Sequence, residues 1–424
     1  MLLFEKGNID TKIDEFQLRE YIFEILQSLG PRSRVLAIPP DFTRFHSAAG
    51  KITQFIHEYY GEKLKAVLPA LGTHFPMTEP EIKKMFGNIP QKLFVKHDWR
   101  NDVITLGEVP SEFVREVSEE KVKYSWPAQV NKLLKEGNFD LILSVGQVVP
   151  HEVIGMANYN KNIFVGTGGA EGINKSHFLG AAFGMERIMG RADTPVRKVL
   201  DYASEEFAND MPLVYVHTVM GKDENDDLVM KGLYAGEDRE CFDKAADLSL
   251  KVNFKLLDRE LKKVVVFLDP SEFKSTWLGN KSIYRTRMAI ADDGELIVLA
   301  PGLREFGEDK EIDRLIRKYG YLTSPEILNL TRDNDDLSGN LSAAAHLIHG
   351  SSEERFHITY CPGHMTQEEI ESVNYNYTPL SKMMKKYDPV KLKDGFNTLP
   401  DGEEIFYISN PALGLWSYKE RFNE

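Results

Sequence analysis

Residues 139–174 read FDLILSVGQVVPHEVIGMANYNKNIFVGTGGAEGIN. The run LILSV is short, apolar and without a polar face, the pattern of a strand buried on both sides in a parallel sheet. It leaves through Val148, Val149 and Pro150 into His151. A second run, NIFVG, reads as another strand and ends in the glycine-rich GTGG. Ionisable side chains therefore fall at strand exits, and in open α/β sheets ligands bind outside the carboxyl ends of the strands. The stretch predicts an α/β fold with its chemistry on those loops.

The same rhythm holds on either side. RVLAIPPDFTR (34–44) reads as strand then loop, KITQFIHEYY (51–60) as helix, and LKAVLPALGTH (64–74) as strand then loop. DRELKKVVVFLDP (258–270) restarts the pattern with a β-branched strand, followed by GELIVLAPGLREFGED (294–309) and FHITYCPG (356–363). We expect two α/β domains with a cleft between them: residues 1–260, carrying the main site, and 261–402, contributing substrate contacts. The strand-like EEIFYISNPALGLW (403–416) opens a segment to 424 that could return to the first domain.

Composition narrows the function. A chain of 424 residues with 42% hydrophobic residues suits two globular domains, and no apolar run approaches the roughly 20 residues of a membrane span. The start, MLLFEKGNIDTKIDEF, meets charge too early for a secretory signal, so a cytoplasmic location is expected. A net charge of -13 argues against nucleic acid, whose affinity comes from clustered Lys and Arg, but a locally basic pocket could still take a small anion. Two isolated cysteines, Cys241 and Cys361, neither staple a fold nor make a thiolate site, so any metal must lean on histidine or carboxylate.

GTGGAEG (166–172) could cradle a phosphate ahead of a helix, or be a tight turn needing positive φ. HLIH puts His346 and His349 on one helical face, a possible metal pair or an ordinary helix surface. His46, His57, His97, His217, His357 and His364 have no telling spacing and read as structural or surface residues. In PPDFTRFHS (39–47), Arg44 could hold a carboxylate bidentately with Asp41 orienting it, or the two could be a surface ion pair. GTHFPMT (72–78) sets His74 on a loop. Lys161 follows His151 by ten residues and His177 follows it by 26.

Together the order Asp-x-x-Arg, GTH, PH, a lysine ten residues later and NKSH resembles the lactate racemase family, enzymes that use a nickel-pincer nucleotide. The resemblance covers most of the chain. It implies that Lys161 carries the pyridinium-derived cofactor through a thioamide link and that His177 ligates nickel. It also implies that His74 and His151 are the acid/base pair, and that Asp41 and Arg44 lie by the substrate. One histidine would take the hydroxyl proton of a small 2-hydroxy acid while hydride moves to the cofactor, giving a 2-keto acid; return of hydride to the other face inverts the centre. Cofactor-biosynthesis enzymes would be needed as maturation partners.

Two departures bear on the substrate. IGMANYNK (154–161) stands where the family often has a small Ser-Gly-Gly stretch. YRTRM (284–288) stands for the family's Tyr-Gln-x-x-Lys, so that Tyr284, Arg285 and Arg287 become the substrate candidates of the second domain. More donors beside the carboxylate suit a longer, dicarboxylic or sugar acid rather than lactate. The competing expectation is a divalent-metal sugar-acid isomerase or lyase without the nucleotide.

Overall fold

A computed structural model describes residues 1–225 and 227–423, which divide into two compact units. Unit 1 comprises Met1–Leu179 and Ile188–Asn253; unit 2 comprises Gly180–Arg187 and Phe254–Glu424. The chain is α/β, as its alternating pattern predicts. The unit change falls at Asn253/Phe254, and the short segment Gly180–Arg187 groups with unit 2.

The sheet of unit 1 has six strands. With β1 at Leu2–Gly7, β2 at Val35–Ile38, β3 at Leu64–Val67, β6 at Leu141–Gln147, β9 at Leu213–Lys222 and β10 at Leu228–Gly236, its order is β1-β10-β9-β6-β2-β3. β4 (Val103–Val109) pairs with β5 (Trp126–Asn131), and β7 (Pro150–His151) pairs with β8 (Gly155–Met156). The neighbours β9, β6, β2 and β3 are parallel, with Val145 opposite Val216, Ala37 opposite Leu143, and Ala37 also opposite Val67. Parallel alignment sends the exits of β6, β2 and β3 to the same edge, and these exits carry His151, Asp41 and His74.

Amphipathic helices close this sheet. Glu15–Ser28 starts at a capping box of Asp14 and Gln17 and buries Leu18, Ile22, Ile25 and Leu26. Ala49–Tyr60 buries Ile52, Phe55 and Ile56 in the same core as Val35, Leu143 and Val216. Truncating a fully buried member such as Ile52 to Ala would cost about 2–5 kcal/mol.

In unit 2, β11 is Phe254–Leu257, β12 Leu261–Phe267, β13 Ile290–Ala300, β14 Phe356–Pro362, β15 Asn376–Tyr377, β16 Gly395–Thr398, β17 Glu404–Ile408 and β18 Leu415–Tyr418. The main sheet runs β15-β14-β13-β12-β17-β16, all parallel except β16. The final segment, for which a return to the first domain was open, stays in unit 2: β17 joins β12, and β18 pairs in parallel with β11. Glu424, the last residue of that segment, lies outside the described residues. No helix among the described residues is long and apolar enough to cross a membrane.

One expected strand is absent. Asn162–Gly166 forms a π-helical turn, with Thr167 N–H donating to Asn162 O at 3.1 Å. A five-residue apolar run buried on every side looks the same in sequence whether extended or helical. Such π turns recur at functional sites.

Candidate active site

Asp41 caps the 3-10 turn Phe42–Ser47 that follows β2. Its Oδ1 accepts from Thr43 N at 3.1 Å and from Thr43 Oγ1 at 2.5 Å, and its Oδ2 lies 2.7 Å from His74 Nδ1. Burial pushes the Asp41 carboxyl up, but the hydrogen bonds and charge of His74 together with the Thr43 bonds outweigh it and hold Asp41 below the usual carboxylate range. The carboxylate expected to orient Arg44 is thus engaged with His74. Because a carboxylate only accepts, Nδ1 of His74 carries a proton, and in the neutral ring Nε2 is the nitrogen with the lone pair. The His74 side chain is 58% exposed while Asp41 is 6% exposed.

His151 sits in the β7/β8 hairpin, which reverses through Gly155 at φ +88°, where a Cβ would stand 2.0 Å from Arg191 O. Its Nδ1 accepts the Val153 amide N–H at 3.1 Å, so the neutral ring carries its proton on Nε2, the opposite tautomer to His74. Burial, the Lys161, Arg44 and His177 charges acting with it, keeps His151 well below its ordinary value despite Glu152, whose Oε2 lies 4.0 Å from Nδ1.

Lys161 immediately precedes the π turn, between the buried Asn160 and Asn162. Burial, reinforced by Arg44, lowers its amine to about 8 against the opposing pull of Glu152 and Asp41. An amine near 8 is partly neutral, hence nucleophilic, close to neutral pH. His177, on the helix Ala170–Phe183, donates from Nδ1 to Ile173 O at 2.7 Å, which leaves Nε2 available to a metal. Burial holds it below its ordinary value, in the neutral form a metal requires, with Lys161 and His74 acting in the same sense. Arg44, Glu152, Lys161 and His177 bear on His151; Arg44, Glu152 and Asp41 on Lys161; and Lys161, Glu152 and His74 on His177. Glu152 was missed by sequence reasoning, although it directly follows His151.

The glycine-rich turn serves packing. Gly166, Gly168 and Gly169 do not have positive φ. Instead a Cβ would stand 2.7 Å from Ala70 Cβ at Gly166, 1.9 Å from Phe164 O at Gly168, and 2.4 Å from Gln129 Oε1 at Gly169. The first amides of the following helix are also engaged, Ala170 N with Trp99 O at 3.2 Å and Gly172 N with Gln129 Oε1 at 3.3 Å. Neither the open phosphate cradle nor the positive-φ turn describes it.

The remaining candidates belong to unit 2. Tyr284 is buried with its ring 6.1 Å from that of His349. Arg285 is 6% exposed and donates from Nη1 to Gly414 O at 3.4 Å. Arg287 donates from Nε to Glu186 Oε1 at 3.1 Å, and Arg355 holds the same carboxylate at 3.0 Å, so this arginine takes part in an ion-pair network within its unit. His346 and His349, read as a helix surface or a metal pair, are both buried. His346 Nε2 meets Tyr321 OH at 3.0 Å, and burial lowers the ring to about 3, as befits a core histidine. Among the described residues, no group of three or more His, Cys, Asp or Glu is arranged to hold a metal.

Residues 22–187 match the family model described as the lactate racemase N-terminal domain. A protein from Thermotoga maritima of known crystal structure is similar over 96% of this chain and 98% of its own, at 25% identity and a TM-score of 0.79. The lactate racemase apoprotein from Thermoanaerobacterium thermosaccharolyticum shares the fold over 97% of this chain and 94% of its own, at 16% identity and a TM-score of 0.71. No match was found among curated proteins.

Proposed function

We propose that this chain, whose residues 22–187 match the lactate racemase N-terminal domain, is a racemase or epimerase inverting the hydroxyl-bearing C2 of a 2-hydroxy acid. The observation that carries the reading is the opposite ring protonation of two histidines: His74 gives Nδ1–H to Asp41, and His151 takes the Val153 amide on Nδ1. His74 therefore presents a basic Nε2 that removes the hydroxyl proton, and Asp41 stabilises the imidazolium that results. His151 presents Nε2–H, which polarises the substrate oxygen as it becomes a carbonyl. Once hydride has been restored, the His74 imidazolium returns its proton to the substrate oxygen, so the pair ends as it began. Arg44 receives the carboxylate.

The donor set fits a nickel-pincer nucleotide. Lys161 supplies an amine near 8 for attachment, and His177 one imidazole nitrogen, the remaining nickel ligands coming from the nucleotide. When bound, that group would supply the hydride acceptor. We place the enzyme in the cytoplasm, with nucleotide-synthesising enzymes as its maturation partners. Tyr284, Arg285 and Arg287 are kept as the proposed second-domain substrate contacts, and their extra donors favour a sugar acid or longer hydroxy acid over lactate.

The test is chiral chromatography of lactate, malate and gluconate incubated with protein matured in a nucleotide-producing host. Inversion at C2 of at least one is expected. Stoichiometric nickel with no inversion of any of them would overturn the proposal.

A further inference from the structure

The backbone leading into Lys161 is held in an unusual shape. Asn158 and Tyr159 are both left-handed, at φ +70° and +58°. Residues with a Cβ adopt this conformation reluctantly, and two in succession require outside support. Much of that support comes from one side chain, Arg197, which is fully buried in the first turn of the helix Pro195–Phe207. Its Nη2 donates to Met156 O at 2.8 Å and to Asn158 O at 3.3 Å. Its Nη1 donates to Asn158 O at 3.3 Å and to the Asn160 side-chain carbonyl.

Neither solvation nor the helix favours a cation there, since a first turn presents the positive end of the helix dipole and burial strips the guanidinium of water. The carbonyl contacts, and the Phe242 ring 4.3 Å below the guanidinium, account for its position. Asn160 passes the restraint on: its Nδ2 donates to Asp201 Oδ1 at 2.7 Å and to Ser204 Oγ at 3.2 Å, both on the helix that carries Arg197. Beyond Lys161, Asn162 Nδ2 donates to Ile38 O and Ser144 Oγ, each at 3.1 Å, tying that side to β2 and β6.

We infer that Arg197 is a positioning residue, whose forked guanidinium holds Met156–Asn160 in its left-handed turn and thereby aims the Lys161 amine into the site. The inference deepens the reading of Lys161 as the cofactor amine and rests on it. A lysine at this position could not replace the fork, because one ammonium cannot reach a set of carbonyls spread over five residues in fixed directions.

The test uses the apo full-length protein and four chains: wild type, Arg197→Met, Arg197→Lys and Asn160→Ala. Reductive methylation of Lys161 is followed against pH by peptide mass mapping and normalised to the exposed Lys391, alongside amide hydrogen exchange over residues 156–161. In every variant the Lys161 midpoint is expected to move up by about one pH unit as the amine is released towards water. Amide exchange is expected to quicken about 10-fold or more. Asn160→Ala changes no charge, so its shift reports geometry, and it carries the test if Arg197→Met does not fold. A role in folding alone lowers the thermal midpoint but leaves the labelling profile of the folded protein superimposed on wild type; that result overturns the inference. The Lys161 reading fails separately, through retained nickel and isomerase activity in Lys161→Ala, an outcome that does not alter the comparison of labelling profiles.

Discussion

His74 Nδ1 and Asp41 Oδ2 lie 2.7 Å apart, joining the exits of two adjacent parallel strands in a buried-carboxylate, exposed-imidazole pair. Asp41→Asn removes the charge that fixes the His74 tautomer, and we expect kcat/KM to fall about 100-fold or more. The two enantiomers of one acid have equal free energy, so for such a substrate the loss in kcat/KM must be the same from either side. Polarimetry in both directions checks this, and an unchanged kcat/KM would remove His74 as base.

The same carboxylate couples stability to pH. Its folded value lies below that of the unfolded chain, so its contribution is present above about pH 4 and is lost as pH falls through the folded value. Asp41→Asn should therefore destabilise the apo protein at pH 7, with the difference from wild type narrowing towards pH 3. Urea unfolding at several pH values measures it.

Lys161 has the opposite sign. Its folded value of about 8 lies below the ordinary 10.5, so between the two the unfolded chain binds the extra proton and stability rises with pH. Below pH 8 the buried ammonium opposes folding. Lys161→Met is expected to raise apo stability by about 1–3 kcal/mol at pH 7, after discounting for its partial exposure. The gain should vanish above pH 10.5. The same variant should lose all isomerase activity.

His177→Ala should abolish nickel retention by protein from the nucleotide-producing host while the apo thermal midpoint stays within about 4 °C of wild type, because a partly exposed helical imidazole contributes about 1 kcal/mol or less. Metal analysis and calorimetry test this. Unchanged nickel stoichiometry would require another ligand.

Arg287→Met and Arg285→Gln probe architecture and specificity. Removing Arg287 leaves Glu186 with Arg355 alone and should cost about 1–3 kcal/mol of unit 2 stability. Arg285→Gln should narrow an advantage of gluconate or malate over lactate that we expect to be roughly tenfold in kcat/KM, equivalent to about 1.4 kcal/mol. Equal turnover of all three acids by the wild type would refute the specificity argument.

The alternation of apolar runs and helical periodicity was enough to recognise an α/β chain and to place Asp41, His74 and His151 at strand exits, because strand burial and loop position are local properties of sequence. The order and spacing of those residues with Lys161 and His177 carried the family resemblance. Sequence could not tell that NIFVG forms a π turn, since an apolar run buried on every side carries no period. Nor could it show that Asp41 belongs to His74, that the glycines of GTGG yield to Phe164, Gln129 and Ala70, or that Arg287 joins Glu186. Apart from the Phe164–Gly168 approach, which is local to the π turn, each of these is a contact between segments distant in the chain. Ring protonation at His74 was decided by the distant Asp41 carboxylate and at His151 by the Val153 amide two residues on, which faces Nδ1 only in the shape that the hairpin gives the chain.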